Sequence, residues 1–445
     1  MSVTPQAFHF HLNKLADTEK YLIAYSGGVD SHVLLHLCSQ LKNSPSGFDQ
    51  TFSAVYIDHG LSFNSAKWGK HCQHICFELD IPLTIIEVDA TPKKGQSPEA
   101  AARTARYRAL SKILEKDECL LTAQHQDDQA ETLLLQLLRG SGTRGLSAMP
   151  RIKPFAKGYL CRPMLDFNKK DIMAYAHLHQ LEWIEDESNQ DQRYDRNYLR
   201  HEILPRLESR WPALQENLAK SAEVLAESQA LLDEMARVGS QNLYVVNELG
   251  VEEQDKLMIE PLRSMRSCKE ERLRELPYHC QHRELARLNN ILRHWINLNY
   301  LPLPSKKILE QIVHSVIFSK DDAMPVVQWH RDSFHCEIRK YRDKLYLIDI
   351  SGKPATDTRK ADNKQYELTE SSTLELKGGS QVKLSPAKEF DVNQGFNRDT
   401  LLSQPLTLRY RKGGERFRRS MDSQSSSLKH WFQEQGIPPW ERNTM

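Results

Sequence analysis

At 445 residues the chain is long enough for two or three domains, each burying a core of its own. Apolar residues make up 39% and charged residues 27%, an ordinary balance for a folded globular protein that excludes wholesale disorder. A formal charge of +1 excludes a globally basic field, so nucleic-acid binding would have to come from local clusters of Lys and Arg.

The opening segment, MSVTPQAFHFHLNKLADTEK, has no cationic stretch followed by an apolar core and a small-residue cleavage site. No later run approaches about 18 uninterrupted apolar residues, so the expectation is a cytoplasmic protein with no membrane segment. Eight cysteines, at 38, 72, 76, 119, 161, 268, 280 and 336, include no C-x-x-C pair, which argues against a disulfide framework or an iron–sulfur site. His71, Cys72, His74 and Cys76 come nearest to a zinc cluster, but they lie in SAKWGKHCQHICFELD, which reads as an amphipathic helix.

In chain order, YLIAYS (21–26), FSAVYID (52–58), LTIIEVD (83–89) and CLLTAQ (119–124) read as strands spaced at about the length of a βαβ unit. Between them, SHVLLHLCSQLK, SAKWGKHCQHICFELD and PEAAARTARYRALSKILEK carry apolar residues near helical period, with Val33, Leu34, Leu37 and Leu41 on one face. The fold class that follows is α/β, a doubly wound parallel sheet, whose ligands sit outside the carboxyl ends of the strands. From about 200 to 320 the pattern turns helical, residues 325–350 alternate in a β manner, and SGKPATDTRKADNKQ reads as a linker before a small α+β domain.

The sharpest local feature is SGGVDS (26–31), directly between the first strand and the first helix. Gly27 and Gly28 can take backbone angles closed to other residues, and their N–H groups, with that of Val29 at the helix start, can cradle phosphate. Ser26 and Ser31 supply hydroxyls, and Asp30 can hold a magnesium ion against the phosphates; the bland alternative is a capped strand-to-helix turn. No Gly-Lys-Ser/Thr follows, so this is not a Walker A loop. Asp128 and Glu131 stand three apart at a helix start close to His125, a spacing that suits a magnesium and phosphate cluster and equally a helix capping box. Arg103 and Arg106, also three apart, can neutralise phosphate charge or form exposed ion pairs. Asp58 and His59 either line a nucleoside pocket or make a solvated turn.

SGGVDS resembles the PP-loop of enzymes that cleave ATP between its α and β phosphates. DHGL (58–61), PEAAARTARYRAL (98–110), AQHQDDQAETLLLQLLRGSGTRGLSAMP (123–150) and WIEDESNQDQRYDRNYLRHEILPRL (183–207) resemble the tRNA(Ile)-lysidine synthase family more narrowly. In the last of these, Asp186, Asn189, Arg196, Asn197 and Arg200 fall at the family's recurrent polar positions. Residues 285–313 resemble its helical middle domain and 408–443 its C-terminal domain.

The resemblance implies a catalytic domain over 1–210, a mostly helical middle domain for tRNA over 211–352 and a tRNA-binding domain over 353–445. Family members continue past PPWERN with several more strands, so a shortened last domain is expected. It further implies ATP and Mg2+ as substrate and metal, with Asp30 and Asp128 as metal ligands. Asp30, Arg106, His125, Asp128 and Glu131 would be catalytic, and residues 26–31, Asp58 and His59 would bind ATP. The partners would be isoleucine tRNA with a CAU anticodon and free L-lysine. Arg200 and the basic patch Arg409, Arg411, Lys412, Arg416, Arg418 and Arg419, interleaved with Tyr410, Phe417, Trp431 and Trp440, would contact tRNA by phosphate pairing and base stacking. The oligomeric state stays open, a homodimer among the options. Two alternatives also stay open: a tRNA thiolation enzyme of the PP-loop class, against which the lack of paired cysteines counts, and a non-catalytic relative that binds tRNA or nucleotide.

Overall fold

The computed structural model describes the chain except for residues 1, 16–17, 45–49, 61–64, 93–97, 186–190, 242, 247–251, 265–277, 321, 332–333, 352–363, 367–372, 376–380, 384–405, 409–412, 419–423 and 443–445. The chain divides into two compact units, Met1–Asp233 and Glu234–Met445.

In the first unit, helix α1 (Pro5–Asn13) precedes β1 (Lys20–Ala24), α2 (Val29–Lys42), β2 (Thr51–Asp58), α3 (Ser65–Glu78), β3 (Leu83–Glu87), α4 (Pro98–Ile113) and β4 (Cys119–Leu121). There follow α5 (Gln126–Leu138), a short α6 (Thr143–Leu146), the hairpin β5 (Ile152–Phe155) and β6 (Gly158–Cys161), and α7 (Lys169–Leu178). The strand order is β3-β2-β1-β4-β6-β5, parallel throughout except for the β5 edge. The four strands expected from the apolar runs are β1 to β4, each ending at or before the expected residue. The β5–β6 hairpin was not foreseen. Gly158, at the start of its second strand, leaves no room for a Cβ, which would run into the Glu118 carbonyl oxygen.

Alternation along β1 sends Tyr21 and Ile23 to one side of the sheet and Leu22 to the other. Tyr21 and Ile23 join a core with Phe8 of α1, Leu34 and Leu37 of α2, Cys72 and Cys76 of α3, and Ile172 of α7. Leu22 packs with Leu110 of α4, Leu120 and Leu160. The sheet is therefore covered on both faces. α2 is buried along most of its length, including its polar residues Ser31, His32, His36 and Ser39. Its two buried histidines are satisfied: His32 Nδ1 pairs with the Glu182 carbonyl at 2.8 Å and His36 Nδ1 with the Tyr175 hydroxyl at 2.8 Å. β1 lies between β2 and β4, and this reversal of strand order opens the crevice at the carboxyl ends where such sheets bind ligands. The unit continues through α8 (Asp195–Tyr198), a π-helical turn (Leu199–Ile203), α9 (Leu204–Arg210) and the start of α10 (Leu214–Ser240).

The second unit centres on an antiparallel sheet of order β7-β8-β11-β10-β9, formed by Tyr244–Val246, Glu252–Met258, Val326–Arg331, Phe334–Tyr341 and Lys344–Asp349 numbered in chain order. Leu288, Ile291, Leu292, Trp295 and Ile296 of the helix Tyr278–Leu298 recur at helical spacing and pack with the helical segment 306–317 and Val327, Ile338 and Leu345 of the sheet. The expected β segment over 325–350 is present. The mostly helical stretch expected over 200–320 is interrupted by β7 and β8, and the β8 sequence EEQDKLM has too few apolar residues to announce a strand.

Candidate active site

The 26–31 loop leaves β1 and enters α2 with Gly27 at φ +82° and Gly28 at the N-cap position. Glycine at the cap has no side chain to occupy the first-turn N–H groups, so the helix start stays open to an anion. The loop is braced from within and behind. Ser31 Oγ donates to the Gly28 carbonyl at 2.9 Å, accepts from the Ser26 N–H at 3.2 Å, and lies 3.0 Å from Ser26 Oγ. Ile184 N donates to the Gly27 carbonyl at 2.9 Å, and a Cβ on Gly27 would meet Ile184 Cδ1 at 2.7 Å and Cys72 Sγ at 3.1 Å.

The end of β4 brings a charged cluster beside this loop. His125, 3% exposed, has its Nε2 3.7 Å from Asp30 and 3.6 Å from Asp128, and its Nδ1 3.6 Å from Asp127. Burial opposes protonation of this imidazole, but Asp128, Asp127 and Asp30 outweigh it and push its pKa up to about 10, so His125 is a cation at neutral pH. Burial likewise opposes ionisation of Asp30, yet His125 and Lys169 hold its pKa at about 2. Lys169 Nζ donates to Asp30 Oδ1 at 2.6 Å.

Asp128 also accepts from the His125 N–H at 3.0 Å, which caps α5, and from Arg196 at 2.8 Å. Glu131, 1% exposed, takes Arg196 Nε at 2.6 Å and Arg200 through Nε at 2.6 Å and a terminal nitrogen at 2.9 Å. Arg196 and Arg200 lie four residues apart across α8 and the π-helical turn and so reach one carboxylate together. Arg200 thereby sits in this cluster, as does Arg196, while Asn197 Nδ2 donates to the Asp191 carbonyl at 3.0 Å. Asp186 and Asn189 lie outside the described residues.

A second constellation stands at the end of β2. Arg106 of α4 is exposed and donates to His59 Nε2, through a terminal nitrogen at 3.0 Å and Nε at 3.3 Å. Burial and the neighbouring guanidinium lower the His59 pKa, so this ring is neutral with its proton on Nδ1. Asp58 Oδ1 accepts from the Gly60 N–H at 2.8 Å, and with Glu87 and Asp89 it lines an open cleft of about 300 Å³. Arg103 is turned elsewhere, its guanidinium 5.1 Å from the Tyr107 ring.

The structure thus brings Asp30, His125, Asp128, Glu131 and Arg200 together at the ends of β1 and β4, and pairs His59 with Arg106. Among the described residues no three His, Cys, Asp or Glu side chains form a metal cage. Asp30 and Asp128 nevertheless present carboxylate oxygens to the same imidazole nitrogen, which suits a hard cation shared with substrate phosphates rather than one enclosed by protein. Two members of the cluster were not singled out in the sequence, Asp127 and Lys169. A lysine directly after an N-cap asparagine opposes the helix dipole, and that is the signal that could have flagged Lys169.

Residues 4–207 match the PP-loop domain model, residues 281–346 the TilS substrate binding domain and residues 406–445 the TilS substrate C-terminal domain. The tRNA(Ile)-lysidine synthase of Methylococcus capsulatus is 37% identical over 423 residues, covering 95% of this chain and 87% of that protein. Those of Coxiella burnetii (36% over 441 residues, 99% and 88% covered) and Legionella pneumophila strain Lens (35% over 433 residues, 96% and 88% covered) are similarly related.

The chain belongs to the tRNA(Ile)-lysidine synthase family.

Among solved structures, a U34-tRNA thiolase from Methanococcus maripaludis aligns with a TM-score of 0.43 at 16% identity, over 50% of this chain and 77% of that one. No helix among the described residues is long and apolar enough to cross a membrane.

In the segment that matches the lysidine synthase C-terminal domain, Arg416 and Arg418 are exposed, and Arg416 donates to the Ser425 carbonyl at 2.6 Å. Arg409, Tyr410, Arg411, Lys412 and Arg419 lie outside the described residues. Phe417, Trp431 and Trp440, expected to stack on bases, have protein partners. The Trp440 ring meets Tyr346 and Tyr341 edge-on at 5.3 and 6.1 Å, and Trp431 meets Phe417 at 6.0 Å. Arg442 donates to the Tyr341 hydroxyl at 2.9 Å, so 440–442 is pinned to the antiparallel sheet.

Proposed function

We propose that this chain makes lysidine: it joins L-lysine to the 2-position of the cytidine at the first anticodon position of isoleucine tRNA with a CAU anticodon, at the expense of ATP. The observation that carries the reading is the open α2 N-terminus flanked by the Asp30–His125–Asp128 cluster, within a chain whose three family matches follow one another in order.

In the first step the cytidine 2-carbonyl oxygen attacks the α-phosphorus of ATP and pyrophosphate leaves. In the second the ε-amine of lysine, in its neutral form, attacks C2 and AMP leaves. Ser26, Gly27, Gly28, Val29 and Ser31 cradle the phosphates through main-chain N–H groups and hydroxyls. Asp30 and Asp128 would hold Mg2+, which when bound supplies positive charge to the phosphate oxygens. His125, cationic and buried, keeps the Asp30 carboxylate ionised and stands between it and Asp128. Arg106, exposed and oriented by His59, turns onto phosphate as charge grows there, and Asp58 with His59 borders the nucleoside. Glu131 acts behind these groups by fixing Arg196 and Arg200, the latter facing the anticodon strand.

Arg416, Arg418 and the neighbouring cations bind tRNA phosphates. With tRNA, ATP and lysine as reactants, the cytoplasm is the compartment we propose.

The test is dependence on the base. Isoleucine tRNA should support AMP and pyrophosphate formation, and the same tRNA carrying uridine at the first anticodon position should not. Formation of lysyl-adenylate without tRNA would refute the reading in favour of an amino-acid-activating enzyme.

A further inference from the structure

Lys169 is the first residue of α7, a position where a positive charge opposes the helix dipole. Its main chain is fixed: the Lys169 N–H donates to Asp127 Oδ1 at 2.8 Å, and Asn168 caps the helix by accepting from the Asp171 N–H at 2.7 Å. Its side chain crosses to α2, where Nζ lies 2.6 Å from Asp30 Oδ1. Both partners are about one-third exposed, 36% and 32%, so the pair faces the open crevice rather than the core. An ion pair that wet is worth about 0–1 kcal/mol, no more than the penalty of about 0.3–1 kcal/mol that a cation meets at a helix N-terminus, so stability gives no net reason for a lysine here.

Asp30 stands in the first turn of the helix whose uncapped N–H groups face the phosphate position. A metal ion taken up by Asp30 would displace the ammonium, and the flexible four-carbon stem of lysine lets that ammonium move to a new anion close by. We infer that Lys169 is a phosphate-binding residue for ATP, parked on Asp30 until Mg2+ claims that carboxylate. It then pairs with the phosphates that depart as pyrophosphate and stabilises their growing charge. Asp127 is the positioning residue of this device, since it holds the Lys169 main chain and flanks His125 at once. The inference rests on the ATP site proposed above.

The arrangement makes Lys169 a competitor of the metal and a partner of the nucleotide, so its removal should move two affinities in opposite directions. The full chain without tRNA is titrated with Mn2+ alone, followed by electron paramagnetic resonance, and with Mg·ATP by calorimetry. In Lys169→Met and the milder Lys169→Gln, Mn2+ should bind at least threefold more tightly and Mg·ATP about tenfold more weakly. Lys169→Arg, which keeps the charge, should hold Mg·ATP within about threefold of the wild type. Wild-type affinity for Mg·ATP in both neutral variants overturns the inference. So does a joint loss of metal, nucleotide and folded circular-dichroism signal, which would make Lys169 a structural pin. Failure of the wild type itself to bind Mg·ATP would instead refute the ATP site.

Discussion

Replacing Glu131 by alanine tests whether the arginine cluster is held from behind by one buried carboxylate. Glu131 is 1% exposed and accepts three charge-assisted hydrogen bonds of 2.6, 2.6 and 2.9 Å from Arg196 and Arg200. Removing one side of a buried ion pair costs about 3–5 kcal/mol because the remaining charge is left uncompensated. Here the arginine side chains are 30% and 37% exposed and both keep Asp128, at 2.8 and 3.4 Å, so the lower figure applies, about 3 kcal/mol at most. For a unit of some 200 residues this corresponds to a fall of about 6–12 °C in the melting temperature. The assay is thermal unfolding of the unliganded protein by circular dichroism. Glu131→Gln, which retains one acceptor, should lose less, and removing both arginines together with the carboxylate should restore part of the loss. A melting point for Glu131→Ala within about 1 °C of wild type would refute the anchoring role.

Gly27→Ala forces a side chain into a left-handed backbone and against Ile184, so it should destabilise the first unit by about 2 kcal/mol and abolish ATP binding, both readable by thermal shift with and without nucleotide. The buried cluster also ties stability to pH in two opposite senses. Asp30, lowered from 3.8 to about 2, contributes stability above pH 4 that is lost as pH falls through 2. His125, raised from 6.5 to about 10, contributes fully below pH 6.5 and progressively less as pH rises to 10. The urea midpoint of the unliganded protein should therefore decline from pH 6.5 to 10, and His125→Asn should flatten that decline; an equal slope in both would contradict the assignment. Neutralising Arg416, Arg418 and Arg419 together should weaken tRNA binding and reduce its log–log salt slope by about 2–3, with ATP affinity unchanged. If the variant is folded and its slope matches wild type, those arginines form only a solvated face.

The parallel sheet and the phosphate loop were legible because they are local. Apolar runs mark β1 to β4, and SGGVDS sits at the β1–α2 junction, where the helix start is open. The Asp128–Glu131 spacing was legible only as two options, a metal cluster or a cap. Asp128 does cap α5, while Glu131 turns its whole carboxylate to arginines 65 and 69 residues further on, a pairing no local pattern encodes. His59 and Arg106 were each visible as candidates, but their hydrogen bond depends on α4 lying over the end of β2. Lys169 escaped notice because its significance lies in a carboxylate 139 residues away. The strand Glu252–Met258 escaped because its pairing with Lys344–Tyr346 is carried by main-chain bonds and little apolar patterning. Trp440 was legible as aromatic, but its sequence neighbourhood of arginines suggested base stacking, whereas two tyrosine rings of the antiparallel sheet receive it.

Mass spectrometry of nucleosides tests the central claim most directly. Isoleucine tRNA with an unmodified CAU anticodon is incubated with the protein, ATP, Mg2+ and isotopically labelled lysine, then digested. The account predicts a labelled lysidine nucleoside replacing one cytidine, formed only when ATP and lysine are both present. Unchanged cytidine in the complete reaction, from protein that binds both ATP and the tRNA, would contradict it.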